Sequence, residues 1–172
     1  MSINNLAREK FEEGMTDFVG RNYDRSIELL SQAIELDPRF TLALKSRSAA
    51  YLKLDKVREA IADMNAVIEM APENARAYHM RGLAFDKSGD FDRALEDFGQ
   101  ALKLDPDYGA AYYSRASLHN KMGHSDLAGE DIQMVTRLSE VNIESFANEN
   151  NVWRSRHLRL ESMYDDDIAM DR

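Results

Sequence analysis

Cysteine is absent from the 172 residues, so the chain has no disulfide, no thiolate metal site and no cysteine nucleophile. Basic residues are scarce: 22 lysines and arginines stand against 31 aspartates and glutamates, a net charge of −9. Nucleic-acid binding relies on basic residues that displace counterions from phosphates, so this balance argues against a nucleic-acid partner. Apolar runs are only a few residues long, and none is a candidate for membrane insertion.

Features of enzymes and exported proteins are also missing from the sequence. The eight glycines are scattered and form no phosphate-binding loop. None of the four histidines stands in a metal-ligand spacing, so neither a metal nor a cofactor is predicted, and no active site is expected. The first residues, MSINNLAREKF, lack a basic stretch followed by an apolar one, so no secretory signal is expected and a cytoplasmic location is the default.

Proline is rare, but its placement is regular. The only three prolines are Pro38, Pro72 and Pro106, spaced 34 residues apart. Each follows an apolar pattern of helical period. A proline cannot continue a helix, and it disfavours helical geometry at the residue before it. The prolines therefore predict three helix ends and a repeat of 34 residues.

Cut at this period, the sequence gives four units, residues 7–40, 41–74, 75–108 and 109–142. Within each unit, positions 8 and 20 are small, and position 24 is large and apolar. Position 8 is Gly14, Ser48, Gly82 and Ala116; position 20 is Ser26, Ala60, Ala94 and Ala128; position 24 is Leu30, Met64, Phe98 and Ile132. Small residues let two antiparallel helices approach closely, and the large residue fills the remaining space. Each unit is therefore predicted to be a helical hairpin, helix A followed by helix B, and the hairpins must stack to bury their apolar stripes.

This pattern resembles the tetratricopeptide repeat over residues 7–142. Repeat three carries the family's residues most completely, in Tyr78, Gly82, Phe85, Ala94, Phe98, Ala101 and Pro106. The terminal repeats depart from the pattern, as ends that meet solvent or a cap commonly do. The departures are Lys10 and Asp17 in repeat one, and His119, Gly129 and Glu140 in repeat four. The resemblance implies an all-α, right-handed solenoid of antiparallel hairpins.

Arginine occupies position 7 in three repeats, where the family usually has leucine. Wherever it does, position 23 is aspartate; the pairs are Arg47 with Asp63, Arg81 with Asp97, and Arg115 with Asp131. Repeat one has neither member of the pair. Positions 7 and 23 are equidistant from the turn of the hairpin, so we expect charge-assisted hydrogen bonds between its two helices. A structural role is favoured over an anion site lined by the three arginines.

The C-terminal part continues the register into an unfinished fifth unit, with Phe146 and Trp153 at positions 4 and 11. Residues 143–164 are expected to be mainly helical and to cap the apolar edge of repeat four. Residues 165–172 are acidic and expected to be disordered. The alternative is that apolar residues such as Leu160 and Met163 contact another copy of the chain or the protein's own groove.

In the tetratricopeptide family, helix A of each repeat lines a concave groove, and the resemblance implies the same here. The corresponding residues are Phe11, Met15, Phe18, Leu42, Lys45, Ala49, Leu52, Lys53, Arg76, His79, Met80, Leu83, Lys87, Tyr113, Asn120 and Lys121. Phe11, Met15 and Phe18 form one helical stripe, which either packs internally or offers an exposed apolar patch. Some family members grip a C-terminal carboxylate with lysines and asparagines, and this sequence does not carry that set.

The resemblance therefore implies a non-enzymatic adaptor or scaffold that binds a peptide or helix of another protein in its groove. Lys45, Lys53, Arg76, Lys87 and Lys121 are expected to orient an acidic partner. The alternative function is structural self-assembly, in which the C-terminal extension of one copy fills the groove of the next and forms a homo-oligomer.

Overall fold

The computed structural model describes residues 3–149, and it describes side chains for residues 5–140. This part of the chain consists of eight helices and contains no strand. The helices are α1 (Ile3–Val19), α2 (Tyr23–Leu36), α3 (Thr41–Lys53), α4 (Val57–Met70), α5 (Ala75–Ser88), α6 (Phe91–Leu104), α7 (Gly109–Lys121) and α8 (Ser125–Glu149). Each helix packs against the next along the chain, which confirms the predicted all-α stack of hairpins.

Proline ends helix B in the first three repeats. Helices α2, α4 and α6 each end two residues before the proline of their repeat. The residues between, Asp37, Ala71 and Asp105, have φ of −138°, −146° and −138°, outside the range of an α-helix. This is the geometry that a following proline favours. Repeat four has Glu140 at the proline position, and α8 continues without a break to Glu149.

One residue with positive φ makes the turn inside each hairpin, always at position 15. The four are Arg21 (64°), Asp55 (58°), Gly89 (81°) and Gly123 (80°). Glycine adopts this left-handed geometry freely, whereas a residue with a Cβ is strained there by about 1 kcal/mol. The common turn places positions 7 and 23 of each repeat level with one another.

The core lies between the helices of each hairpin and between successive hairpins. Leu30, Met64 and Phe98, the position-24 residues of the first three repeats, have no exposed surface. At about 25 cal/mol per Å² of apolar surface, each buried side chain of this size stabilises the fold by roughly 2 kcal/mol. No helix among residues 3–149 has the length and apolar character needed to cross a membrane.

Candidate functional site

Helices α1, α3, α5 and α7 form the inner side of the stack. Each contacts the next member of this set. Within residues 3–149, no Cα atom of α2, α4, α6 or α8 lies within 8 Å of a Cα atom in another of these four helices. A stack curves toward the set of helices that lies closer together, so the inner set lines a concave surface, here called the groove. All sixteen predicted groove residues belong to these four helices.

The N-terminal end of the groove is an apolar notch between α1 and the start of α3. A cavity of about 400 Å³ opens there, lined by Ala7, Arg8, Phe11, Glu12, Asp37, Phe40 and Leu42. The ring of Phe11 packs against that of Phe40, with 5.0 Å between centroids. Leu42 is 48% exposed. Phe11 thus combines the two roles predicted for its stripe, since it packs internally and also lines an open apolar surface.

Phe18, at the other end of that stripe, packs at the hairpin turn. Its ring meets Tyr23 edge-on, with 5.5 Å between centroids. Met15 lies one turn of α1 earlier and is partly exposed. The stripe is therefore divided: its first part belongs to the notch, and its last part supports the turn of repeat one.

Partly buried apolar side chains from α3 and α5 form the middle of the groove. Met80 packs against the buried cluster that contains Leu44 and Met64. Leu83 packs against the next cluster, which contains Phe98. The other apolar members are Ala49 and Leu52, both partly exposed. Side chains held on one side by the core offer a ligand a surface that is already ordered.

His79 is buried, which differs from its expected place as an open polar lining residue. The residue is 7% exposed, because Tyr108 from the loop before α7 packs edge-on against its ring at 5.0 Å. Its Nδ1 lies 3.0 Å from the Tyr108 hydroxyl, and its Nε2 lies 2.9 Å from the Ser114 hydroxyl. Burial lowers the pKa of His79 to about 4, so the ring is neutral near pH 7. His79 therefore joins repeat three to repeat four beneath the groove.

Two of the five predicted groove cations are paired within the protein. Lys121 Nζ lies 2.8 Å from both carboxylate oxygens of Asp86, and Lys87 Nζ lies 2.7 Å from Asp55. The other three cations, for which residues 5–140 provide no ion pair, are Lys45, Lys53 and Arg76. The uncompensated positive charge therefore lies on α3 and the first turn of α5, beside the apolar middle of the groove.

Helix α7 completes the groove at its C-terminal end. Tyr113 is 63% exposed, which is unusual for a residue of its size. Asn120 is also exposed and lies two turns further along the helix. These two residues present a flat ring and an amide, groups that can pack against and hydrogen-bond to a bound segment.

Behind the groove, each of the three arginines at position 7 forms a two-bond contact with the aspartate at position 23. The Nε and Nη2 distances to the carboxylate are 2.9 and 2.6 Å for Arg47 and Asp63, 2.8 and 2.8 Å for Arg81 and Asp97, and 2.8 and 2.6 Å for Arg115 and Asp131. The aspartates are at most 5% exposed. Their hydrogen bonds raise the pKa of each guanidinium above its usual range. The contacts join helix A to helix B, in the arrangement expected from equal distance to the turn.

Two of these arginines also bond to the preceding repeat, a link that the sequence analysis missed. Arg47 Nη1 donates to Ser31 Oγ at 2.9 Å, and Arg81 Nη1 donates to Asn65 Oδ1 at 2.8 Å. Both partners occupy position 25 of the repeat before. The corresponding residue for Arg115 is Gly99, which has no side chain. The residue at position 25 of the preceding repeat therefore indicates whether an arginine at position 7 forms this third bond.

The predicted C-terminal cap is only partly within the described region. Phe146 lies in α8, beyond the described side chains, and Trp153 lies outside the described residues. The expected boundary at 142/143 coincides with no helix end, because α8 runs through it. The capping roles of Phe146 and Trp153 stay predictions.

Comparison with protein families gives consistent matches along the chain. One tetratricopeptide-repeat model matches residues 75–108, and a second matches residues 11–75 and 47–88. Together these matches run from residue 11 to residue 108, more than half of the chain. A search of curated proteins returned no match.

Solved structures show the same fold. A crystal structure of MamA aligns with a TM-score of 0.73 at 23% identity, covering 81% of this chain and 82% of that one. The structure of MamA from residue 41 to its end, from Desulfovibrio magneticus RS-1, gives 0.71 at 23% identity, with 78% and 76% covered. The first repeat domain of Spaghetti (RPAP3), bound to the HSP90 peptide SRMEEVD, gives 0.66 at 23% identity, with 70% and 95% covered.

Proposed function

Because the chain belongs to the tetratricopeptide-repeat family, we propose that it is a non-enzymatic adaptor that binds a segment of another protein in the groove. Repeats of this family generally serve protein interaction, and the Spaghetti domain was solved with a bound peptide. The observation that carries the proposal is the composition of the groove. Partly exposed apolar side chains and three uncompensated cations lie together on α1, α3 and α5.

The chemistry of the groove favours a segment that is both apolar and acidic. Apolar side chains of the segment would fill the notch at Phe11 and pack against Met80 and Leu83, where methionine adapts to the shape of its partner. Acidic side chains would meet Lys45 and Arg76. The protein as a whole has a charge of −9. An acidic partner is therefore attracted to this local positive region and binds on the groove face.

Recognition of a terminal carboxylate is not part of the proposal. The positions that would supply a lysine and an asparagine for such a clamp hold Phe11 and Met15, and the asparagine position of the next repeat holds Ser46. A free carboxylate needs charged donors aimed at both oxygens. We therefore infer that internal side chains of the partner, and not its chain end, provide the affinity.

Peptide selection on the full chain tests the proposal. A peptide-display library should yield segments in which acidic and apolar residues alternate at helical or extended spacing. Their affinity, measured by fluorescence anisotropy, should be about micromolar and should fall as NaCl is raised from about 0.05 to about 0.5 M, because exposed charges are screened.

A matched pair of charge reversals locates the site. Lys45→Glu/Arg76→Glu should weaken binding about tenfold or more, since attraction becomes repulsion at the groove. Arg58→Glu/Lys103→Glu makes the same change in net charge on α4 and α6 and should leave binding within about twofold. Equal losses in the two double variants would show a response to net charge alone and would refute the groove as the site.

The same two double variants also test the self-assembly alternative. If residues 154–172 fill the groove of another copy, the full chain should form oligomers that Lys45→Glu/Arg76→Glu dissolves and Arg58→Glu/Lys103→Glu does not. Light scattering behind size exclusion over about a hundredfold range of concentration reports this directly.

A further inference from the structure

The notch, at the junction of repeats one and two, differs in composition from the next junction along the groove. Its three large apolar lining residues stand at positions 5, 34 and 2 of their repeats, as Phe11, Phe40 and Leu42. The same positions at the junction of repeats two and three hold Lys45, Asn74 and Arg76. The groove therefore changes from apolar to cationic over the length of one repeat.

The junction of repeats three and four has a ring pair that corresponds to the one in the notch. His79 and Tyr108 occupy the positions of Phe11 and Phe40, and the centroids of both pairs are 5.0 Å apart. The Tyr108 hydroxyl lies 3.0 Å from His79 Nδ1, so the polar groups of that pair satisfy each other. The two phenylalanine rings carry no polar group, so any polar partner needed at the notch has to come from a ligand.

Asp37, at the rim of the notch, is an acceptor that lacks a full set of donors. Its Oδ1 accepts from the backbone N–H of Arg39 at 3.0 Å. Within residues 5–140, its Oδ2 has no hydrogen bond and its carboxylate has no ion pair. Asp37 is partly buried, whereas Asp105, at the same position of repeat three, is exposed. A carboxylate that is partly removed from water gains from a donor that reaches it.

The rim of the notch is negative overall. It carries two carboxylates, Asp37 and Glu12, and one guanidinium, Arg8. Arg8 Nε lies 3.1 Å from Glu12, which leaves the charge of Asp37 uncompensated. Acidic side chains of a ligand are therefore repelled from the notch and attracted to Lys45 and Arg76. A lysine or arginine of the ligand would meet the like charge of Arg8, so a neutral donor fits best.

The floor of the notch suits an aromatic ring. Phe11 and Phe40 both pack against the buried cluster of Leu30, Ala33 and Ala43, which holds their rings in place before a ligand arrives. Aromatic rings attract one another beyond their apolar contact. The cavity of about 400 Å³ lies within the size range of pockets that take small organic ligands, so it has room for one bicyclic ring.

We propose that the notch is the anchor site of the groove and takes a tryptophan or tyrosine of the partner segment, whose N–H or O–H donates to Asp37. This rests on the proposed function and names the side chain by which the segment is held. Equivalent positions at successive junctions are about 10 Å apart, one helix-to-helix distance, which about three residues of extended chain span. The acidic residues of the segment should therefore lie about three positions from the aromatic one, opposite Lys45 and Arg76.

A small probe tests the notch by itself. The full chain is labelled at its alanine and leucine methyl groups and titrated with N-acetyl-tryptophan amide up to about 10 mM, while NMR follows the signals of Ala7 and Leu42. The reference ligand is N-acetyl-1-methyltryptophan amide, in which a methyl group replaces the hydrogen that would be donated. N-acetyl-tryptophan amide should bind about fivefold more tightly, because only its ring can donate to the carboxylate.

Asp37→Asn and Asp105→Asn are the matched variants. Both aspartates occupy position 31, and each accepts from the backbone N–H two residues later, that of Arg39 or Asp107. Asparagine keeps this bond through its oxygen and presents an amino group in place of Oδ2. Asp37→Asn should therefore abolish the fivefold preference, whereas Asp105→Asn should leave it unchanged. The circular dichroism of both variants should match that of the original chain.

Three results would overturn the proposal: no shift of Ala7 or Leu42, equal affinity for the two ligands, or a preference that survives Asp37→Asn. The proposed function is judged separately, by peptide binding to the Lys45→Glu/Arg76→Glu chain. Selected peptides that require Lys45 and Arg76 but contain neither tryptophan nor tyrosine would refute the anchor and leave the groove as the binding site.

Discussion

Gly82 and Phe98 face each other across the hairpin of repeat three, and a Cβ on Gly82 would lie 2.7 Å from Phe98 Cε1. Gly14 stands in the same relation to Leu30, at 2.9 Å from Cγ. Where position 8 is larger, position 24 differs as well: the pairs are Ser48 with Met64 and Ala116 with Ile132. The two positions therefore share one volume between the helices, and their side chains fit only as a pair.

Gly82→Ala should lower the free energy of unfolding by about 1–3 kcal/mol, because the added methyl group enters space that Phe98 fills. Gly82→Ser/Phe98→Met recreates the pair of repeat two, in which Ser48 Oγ also donates to the Ala60 carbonyl at 3.1 Å. This double variant should recover most of the loss. Urea unfolding followed by circular dichroism gives both values.

Gly129→Ala is the control for the packing prediction. Gly129 also lies in a helix, but a Cβ there meets nothing within 4 Å. Its replacement should be neutral or stabilising by about 0.5–1 kcal/mol. A loss at Gly129 equal to that at Gly82 would mean that packing against Phe98 is not the cause.

The pair of Arg81 and Asp97 should show strong coupling. Arg81→Leu or Asp97→Leu alone leaves a buried charge without its partner and should cost about 3 kcal/mol. Arg81→Leu/Asp97→Leu should cost less than the sum by about 2 kcal/mol, because no unpaired charge remains. Urea melts of the four proteins complete the cycle, and strictly additive losses would contradict the pairing.

Gly99→Asn should create the bond that Arg115 lacks. In the preceding interface Asn65 accepts from Arg81 at 2.8 Å, and Gly99 occupies the same position with open space around it. The asparagine should stabilise the chain by about 1 kcal/mol more when Arg115 is present than in an Arg115→Leu background. Gly99→Asn changes helix propensity equally in both backgrounds, so that change cancels in the comparison. Equal effects of Gly99→Asn with Arg115 and with Arg115→Leu would therefore exclude the bond.

Acid should weaken the junction of repeats three and four through His79. Burial lowers its pKa from 6.5 to about 4, so the folded state resists a proton that the unfolded state accepts. The contribution of the neutral His79 ring to the free energy of unfolding is complete above about pH 6.5. It is lost as the pH falls toward 4, by up to about 3 kcal/mol.

Urea unfolding at about pH 7 and about pH 4.5 measures this loss. His79→Asn should show a smaller decline than the original chain, since the carboxylates titrate alike in both. An NMR titration of the ring adds a direct check. A His79 signal that titrates near 6.5 would contradict the burial argument.

Features that repeat every 34 residues were predictable from the sequence. The proline spacing gives the ends of α2, α4 and α6, because a proline acts on the residue beside it. The joint appearance of Arg81 and Asp97 gives their contact, because a common turn places positions 7 and 23 level. Both inferences need only the chemistry of the residues involved and the length of the repeat.

Features that depend on a neighbouring repeat were not predictable in the same way. His79 bonds to Ser114 of the next repeat, 35 residues away, whereas the corresponding residues of the earlier repeats, Phe11 with Ser46 and Lys45 with Met80, are not hydrogen-bonding pairs. Lys87 and Lys121 occupy one position, yet Lys87 pairs with Asp55 and Lys121 with Asp86, at different positions of the preceding repeat. A long side chain such as that of lysine can reach several possible partners, and the sequence does not show which of them it pairs with.

The central claim is that the groove binds the partner segment, and methionine methyl NMR tests it most directly. The full chain is labelled at the methionine methyl groups and titrated with a selected acidic and apolar peptide. The account predicts that Met15 and Met80, in the groove, shift and show contacts to the peptide, while Met134 on α8 does not. Shifts confined to Met134, with Met15 and Met80 unchanged at saturation, would contradict it.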